Sequence, residues 1–94
     1  MSEVKCIRLN TGEVIMGFAK QNLLRNGWQI VDPQIVLTVA DSGKMEVNFA
    51  PWIPYAKEYK YNINNSQRQT VFEPKPQLET NFKVATGNKI RGKK

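Results

Sequence analysis

The side chains that carry most enzyme chemistry are scarce in this sequence. It contains no histidine and one cysteine, Cys6. Histidine is the usual general base and metal ligand near neutral pH, and a structural zinc site needs four nitrogen or sulfur ligands. The acidic residues stand singly along the chain, and only Glu46 and Glu58 form a pair that folding could bring together. Gly12 and Gly17 sit in a hairpin rather than between a strand and a helix, so they do not read as a phosphate loop. These residue types predict a chain that is not an enzyme and that carries no metal or cofactor. They leave binding or assembly as its work.

Three groups of residues have binding chemistry. Trp52 and Tyr55 sit in Pro51-Trp52-Ile53-Pro54-Tyr55, where prolines break a regular ladder. They read either as base-stacking platforms or as core and interface packing. Arg25 and Asn26 occupy one polar loop, and Asn64, Asn65 and Arg68 another. They read either as a nucleic-acid site or as solvated loop residues. The third group is the chain end. Of the net charge of +6, Lys83, Lys89, Arg91, Lys93 and Lys94 supply five charges with no acid among them. The rest of the chain is close to neutral. Residues 88–94 therefore read as a basic tail, either for a polyanion such as single-stranded RNA or for solubility.

The elements that must position these groups are mostly strands. Val4–Leu9 and Val14–Ala19 flank Asn10-Thr11-Gly12-Glu13 and read as a β-hairpin, with Gly12 free to adopt positive φ. Gly17 lies inside the second strand, where it permits a sharp bend or a close approach. Gln21–Gly27 reads as a loop. Trp28–Val31 is a strand that Asp32-Pro33 interrupts, and Gln34–Ala40 continues it. Met45–Phe49, Tyr59–Ile63 and Gln69–Phe72 complete the strands, with Asn64-Asn65-Ser66 as a turn. Leu78, Phe82 and Ala85 recur at helical spacing between Pro76 and Gly87, which predicts a short amphipathic helix over 76–86. A length of 94 residues predicts one domain, taken as residues 1–87 followed by the tail. Neither a signal peptide nor a membrane-spanning run is legible, and the single cysteine fits a reducing cytoplasm.

The segment Ile7-Arg8-Leu9-Asn10-Thr11-Gly12-Glu13-Val14-Ile15-Met16-Gly17 resembles the first signature of the Sm-like family, which includes the Sm and LSm proteins and bacterial Hfq. The matching pattern is Leu9, Gly12 in the turn, and Gly17 in a bent strand. Over nearly the whole chain, this hairpin, the Asp32-Pro33 step, Phe49-Ala50-Pro51-Trp52-Ile53-Pro54-Tyr55 and a terminal helix with Leu78 and Phe82 are similar to small Sm-like proteins of tailed phages of cyanobacteria and other marine bacteria. The sequence departs from the family pattern in placing its helix after the strands. It departs again in the loop Gln21–Gly27, which lacks the family's aspartate and methionine-asparagine pair, and at Ile63-Asn64-Asn65-Ser66, where only the isoleucine matches.

The resemblance implies a mainly β fold: a small, strongly bent, five-stranded Sm-like (SH3-type) barrel with a C-terminal helix. It implies a homo-oligomeric ring whose pore loops, with Arg25, Asn26, Asn64, Asn65 and Arg68, bind single-stranded RNA aided by Lys89, Arg91, Lys93 and Lys94. The place of action would be the cytoplasm, that of the host for a phage-encoded chain, without a membrane partner. A second function from a different class stays open: a phage structural or assembly component that keeps the barrel and binds no RNA.

Overall fold

The computed structural model describes residues 3–87. Six strands precede one helix: β1 (Glu3–Leu9), β2 (Val14–Asn22), β3 (Gly27–Asp41), β4 (Lys44–Pro51), β5 (Lys60–Asn64), β6 (Arg68–Phe72) and α1 (Pro76–Thr86). Short 3-10 turns at Leu23–Arg25 and Asn65–Gln67 join β2 to β3 and β5 to β6. The strands form one antiparallel sheet in the order β4-β3-β2-β1-β6, with β5 also paired to β3. The sheet is not closed into a barrel, and its strands number six rather than five.

The third strand also differs from the expectation, at Asp32-Pro33. Proline cannot donate to a ladder, which predicts a break there. Instead β3 runs through the step and changes partner. Gly27–Val31 pair with β5, whereas Gln34–Asp41 pair with β4. Along its other edge β3 pairs with β2, and between Phe18↔Val31 and Met16↔Gln34 two residues of β3 face the single residue Gly17. This is a β-bulge. Asp32 takes φ of 43°, a left-handed conformation that aspartate tolerates better than most residues. Its N–H donates to the Tyr59 carbonyl, and the Pro33 carbonyl accepts from Trp52 N–H at 3.0 Å. The bulge thus satisfies its backbone with the residue just before β5 and the residue just after β4. The extra residue also inverts the in–out alternation, so Ile30 before it and Ile35 after it pair with Ala19 and Ile15 on the same face.

Each face of the sheet has its own core. On one face Ile7, Leu9, Ile15, Ala19, Ile30 and Ile63 are buried, with Trp28, Trp52, Tyr61 and Val71 against them. The opposite face carries Val4, Cys6 and Met16, which α1 covers with Phe82. Alternation along β1 explains why both faces are apolar: Ile7 and Leu9 point one way, Val4 and Cys6 the other. Phe82 is fully buried and meets the Phe49 ring edge-on at 5.6 Å and the Phe18 ring at 6.1 Å. Leu78 packs beside it, but the residue that completes the buried stripe is Thr86, not Ala85, which is exposed. Thr86 follows Phe82 by one full turn, and its hydroxyl donates to the Phe82 carbonyl at 2.7 Å. Lys5 bridges Glu3 and Glu73 at 3.4 and 3.3 Å, and the hydrogen bond it donates to Glu73 holds its pKa above the ordinary lysine value.

Two glycines let the strands meet as they do. A Cβ on Gly17 would lie 3.0 Å from both Ile30 Cγ1 and the Val31 carbonyl oxygen. At Gly27 the fit is closer: a Cβ would collide with the Ile63 carbonyl oxygen and lie 2.9 Å from Asn64 Cα. Gly17→Val should therefore destabilise the protein by about 1–3 kcal/mol, the range for overpacking a tight site. Gly27→Ala should reach the upper part of that range although it adds one methyl, because the obstacle is backbone. Urea unfolding of both variants checks this; an unchanged midpoint for Gly27→Ala would mean that β3 and β5 are not packed this closely.

Candidate functional site

The two polar loops that the sequence singles out converge. Asn26 and Asn65 are 39 positions apart, yet Asn65 N–H donates to the Asn26 carbonyl at 3.0 Å and Asn65 Nδ2 donates to Asn26 Oδ1 at 3.0 Å. Asn64 Nδ2 donates to the Arg25 carbonyl at 3.4 Å, and Arg68 Nε donates to Asn65 Oδ1 at 3.0 Å. Arg25, Asn26, Asn64, Asn65 and Arg68 thus form one cluster at one end of the sheet.

Local sequence explains why the loops hold this shape. Asn26 closes the first turn in a left-handed conformation, φ of 50°, which asparagine accepts readily, and its N–H donates to the Leu23 carbonyl. Asn64 and Gln67 build a capping box on the second turn: Asn64 Oδ1 accepts from Ser66 N–H, and Gln67 Oε1 accepts from Asn64 N–H, each at 2.9 Å. The Gly27↔Asn64 pairing then brings the turns into register. Asn22 and Asn62 extend the amide row, with a side-chain hydrogen bond of 3.3 Å.

The cluster's electrostatics follow from what surrounds it. No aspartate or glutamate occurs between residues 14 and 31 or between 59 and 72, the segments that supply these loops and their strands. Lys20, Arg25, Lys60 and Arg68 lie in those segments. Arg25 is exposed and Arg68 half-buried. The asparagine side chains largely satisfy one another, so the arginines are the groups best placed to meet a ligand.

The remaining sequence-derived residues separate from this cluster. Trp52 is half-buried and stacks edge-on against Tyr61 at 5.6 Å, within the packing around Ile63. Tyr55 is 95% exposed. Glu46 and Glu58 form no metal-ligand group, and among the described residues no cluster of three or more His, Cys, Asp or Glu could hold a metal ion. Lys89, Arg91, Lys93 and Lys94 lie outside the described residues. Among the described residues no helix is long and apolar enough to cross a membrane. Missed by the sequence reading were Leu23 and Leu24, 81% and 99% exposed at the tip of the first turn beside Arg25. The sequence reading treats Gln21–Gly27 only as a loop. No protein-family model matches the sequence, and no curated protein matches it.

Cys6, the one nucleophile of the thiol class, is completely buried under α1. Burial raises its pKa from the ordinary 9.0 to about 11. The sign of the linkage is fixed: between those values the unfolded chain releases a proton that the folded chain keeps, so this group's contribution to stability is full below pH 9.0 and is lost as pH rises towards about 11. Comparing urea midpoints of wild type and Cys6→Ala from pH 8 to 11 isolates the effect from the lysines and tyrosines. The wild-type curve should fall more steeply, and parallel curves would contradict the burial of the thiol.

Proposed function

We propose that this chain is a ring-forming Sm-like module that binds single-stranded RNA at the joined loops. The single observation that carries the reading is the carboxylate-free cluster of Arg25, Asn26, Asn64, Asn65 and Arg68, drawn from two loops and fixed by their mutual hydrogen bonds. Cations on segments that contain no acid attract a phosphate backbone, and amides offer both donors and acceptors to exposed base edges. In a ring, one such cluster per subunit would recur around the pore.

The topology supports the oligomer and the finer fold. β5 and β6 are consecutive strands, joined by a three-residue turn, at the two ends of the path β5-β3-β2-β1-β6. A chain connection at that place is what an SH3-type barrel of Sm-like form requires. β4 and β6 end the main sheet path, so each offers an edge, and unpaired edges invite another chain. Val47 on β4 and Phe72 on β6 are 38% and 40% exposed, which adds apolar surface to both. Edge-to-edge pairing of β4 with β6 of the next subunit is a heterologous contact that closes by rotation.

A second reading has its own observation. The asparagines of the cluster spend their hydrogen bonds on each other, as a purely structural loop clasp would. On that reading the chain is a phage assembly component with the same ring and no RNA.

Light scattering and binding of a labelled RNA oligonucleotide test the proposal together. A closed oligomer should form at micromolar concentration. Arg25→Ala and Arg68→Ala should each weaken binding. Removing residues 88–94 takes away four cations, and the slope of log affinity against log salt should flatten by up to about 3 if all four engage, at roughly 0.7 per phosphate on a single strand. A monomer contradicts the ring. An oligomer that binds no RNA at low salt contradicts the RNA reading and favours the assembly component.

A further inference from the structure

The second 3-10 turn has another side. Ser66 and Gln67, next to the loop cluster, also line a cavity of about 380 Å³ floored by Leu9 and Ile63 and walled by Trp52. That volume falls within the range of ligand sites, and the mix of apolar lining with a few polar groups is also typical of them. The site is held in shape by the β1–β2 turn. Asn10 N–H donates to the Gln67 carbonyl at 3.1 Å and Asn10 Nδ2 to the Ser66 carbonyl at 2.6 Å, which ties the turn to the wall opposite.

Its polar groups are only partly used. Gln67 Oε1 accepts from Asn64 N–H, which leaves the Nε2 donor available. Glu13 Oε1 accepts from Thr11 Oγ1 at 3.1 Å, which leaves Oε2, and Asn10 spends its amide nitrogen, which leaves Oδ1. The residues that line the cavity therefore carry an indole, an apolar floor, one unused amide donor and two unused acceptors. The Glu13 carboxylate repels phosphate, so a nucleotide would enter base-first.

We propose that this cavity receives a single unstacked nucleobase carrying an exocyclic amine beside a ring-nitrogen acceptor, adenine or cytosine, from single-stranded RNA held at the neighbouring loops. The amine would donate to Glu13 or Asn10, the ring nitrogen would accept from Gln67, and the base would lie against Trp52. Uracil presents the reverse order, a carbonyl beside a ring N–H, which sets its carbonyl against the Glu13 and Asn10 acceptors and its N–H against the Gln67 donor. The inference rests on the RNA reading for its source of bases, but the cavity's preference is a separate property.

Fluorescence anisotropy with labelled six-nucleotide oligoadenylate, oligocytidylate and oligouridylate separates the two. The adenine and cytosine oligomers should bind about tenfold more tightly than the uracil oligomer. Trp52→Leu should remove about tenfold from the tighter pair, within the range for losing one base–aromatic stack, and Trp52→Phe should restore most of it. Glu13→Gln should narrow the preference of the adenine and cytosine oligomers over the uracil oligomer while leaving the melting temperature unchanged. Arg25→Ala should weaken all three equally. Equal binding of all three oligomers, indifferent to Glu13→Gln, overturns the base site and leaves RNA binding standing. If no oligomer binds, the RNA reading fails, and titration with adenosine and uridine followed at the Trp52 indole N–H resonance decides the cavity. A response to adenosine alone sustains it, and no response or an equal response to both overturns it.

Discussion

The step at Asp32-Pro33, seated against Gly17, is the constraint on which the architecture turns. One strand there serves three others. It keeps β2 along one edge while the opposite edge passes from β5 to β4. The backbone could not make this exchange without two residues opposing one, and a side chain at the opposing position would press on Ile30 and the Val31 carbonyl. Everything beyond depends on it. The bulge restores the apolar alternation to the correct face, which completes the core around Ile15 and Ile30. It also directs the first half of β3 towards β5, and that pairing brings the two 3-10 turns together.

The loop cluster is thus a consequence of strand pairing rather than of loop sequence alone. Asn26 in a left-handed turn and Asn64 in a capping box each stabilise their own loop, but Gly27 lets the two meet. A site built on hydrogen-bonded turns at a strand junction is pre-organised, so little ordering remains to oppose ligand binding. The same turn at Asn65–Gln67 faces the loop cluster on one side and the Trp52 cavity on the other. On the proposed reading, a cationic cluster and an acid-bearing cavity that share one wall would suit a single strand that turns a base away from its backbone. The second core, where α1 covers Cys6 and Met16 with Phe82, stands apart from both and serves stability.

Much of this was legible from residue patterns. The hairpin around Gly12 and the helix over 76–86 follow from local signals that tertiary structure did not override. The importance of Gly17 was legible too, because a glycine within an apolar strand needs a reason. Other features were not. Pro33 reads as a breaker because its missing donor is local information, whereas the partner exchange that makes the donor unnecessary is not. Gly27 looks like an ordinary loop residue until Ile63 is seen lying over it. Ala85 and Thr86 are adjacent, and a three-to-four residue period cannot choose between them without the surface they face. The five loop residues were identified by type, but only the pairing of β3 with β5 makes them one cluster, and nothing in their spacing reveals that they bond to each other.

Backbone hydrogen exchange at the partner switch tests the central claim most directly. If β3 is continuous through the bulge and bonded to the residues flanking β4 and β5, the Asp32 and Trp52 amides are held by the Tyr59 and Pro33 carbonyls. Both should then exchange as slowly as amides of the β1–β2 ladder, in the global unfolding regime. Exchange at these two positions at the rate of exposed loop amides, while the β1–β2 ladder stays protected, would contradict the account.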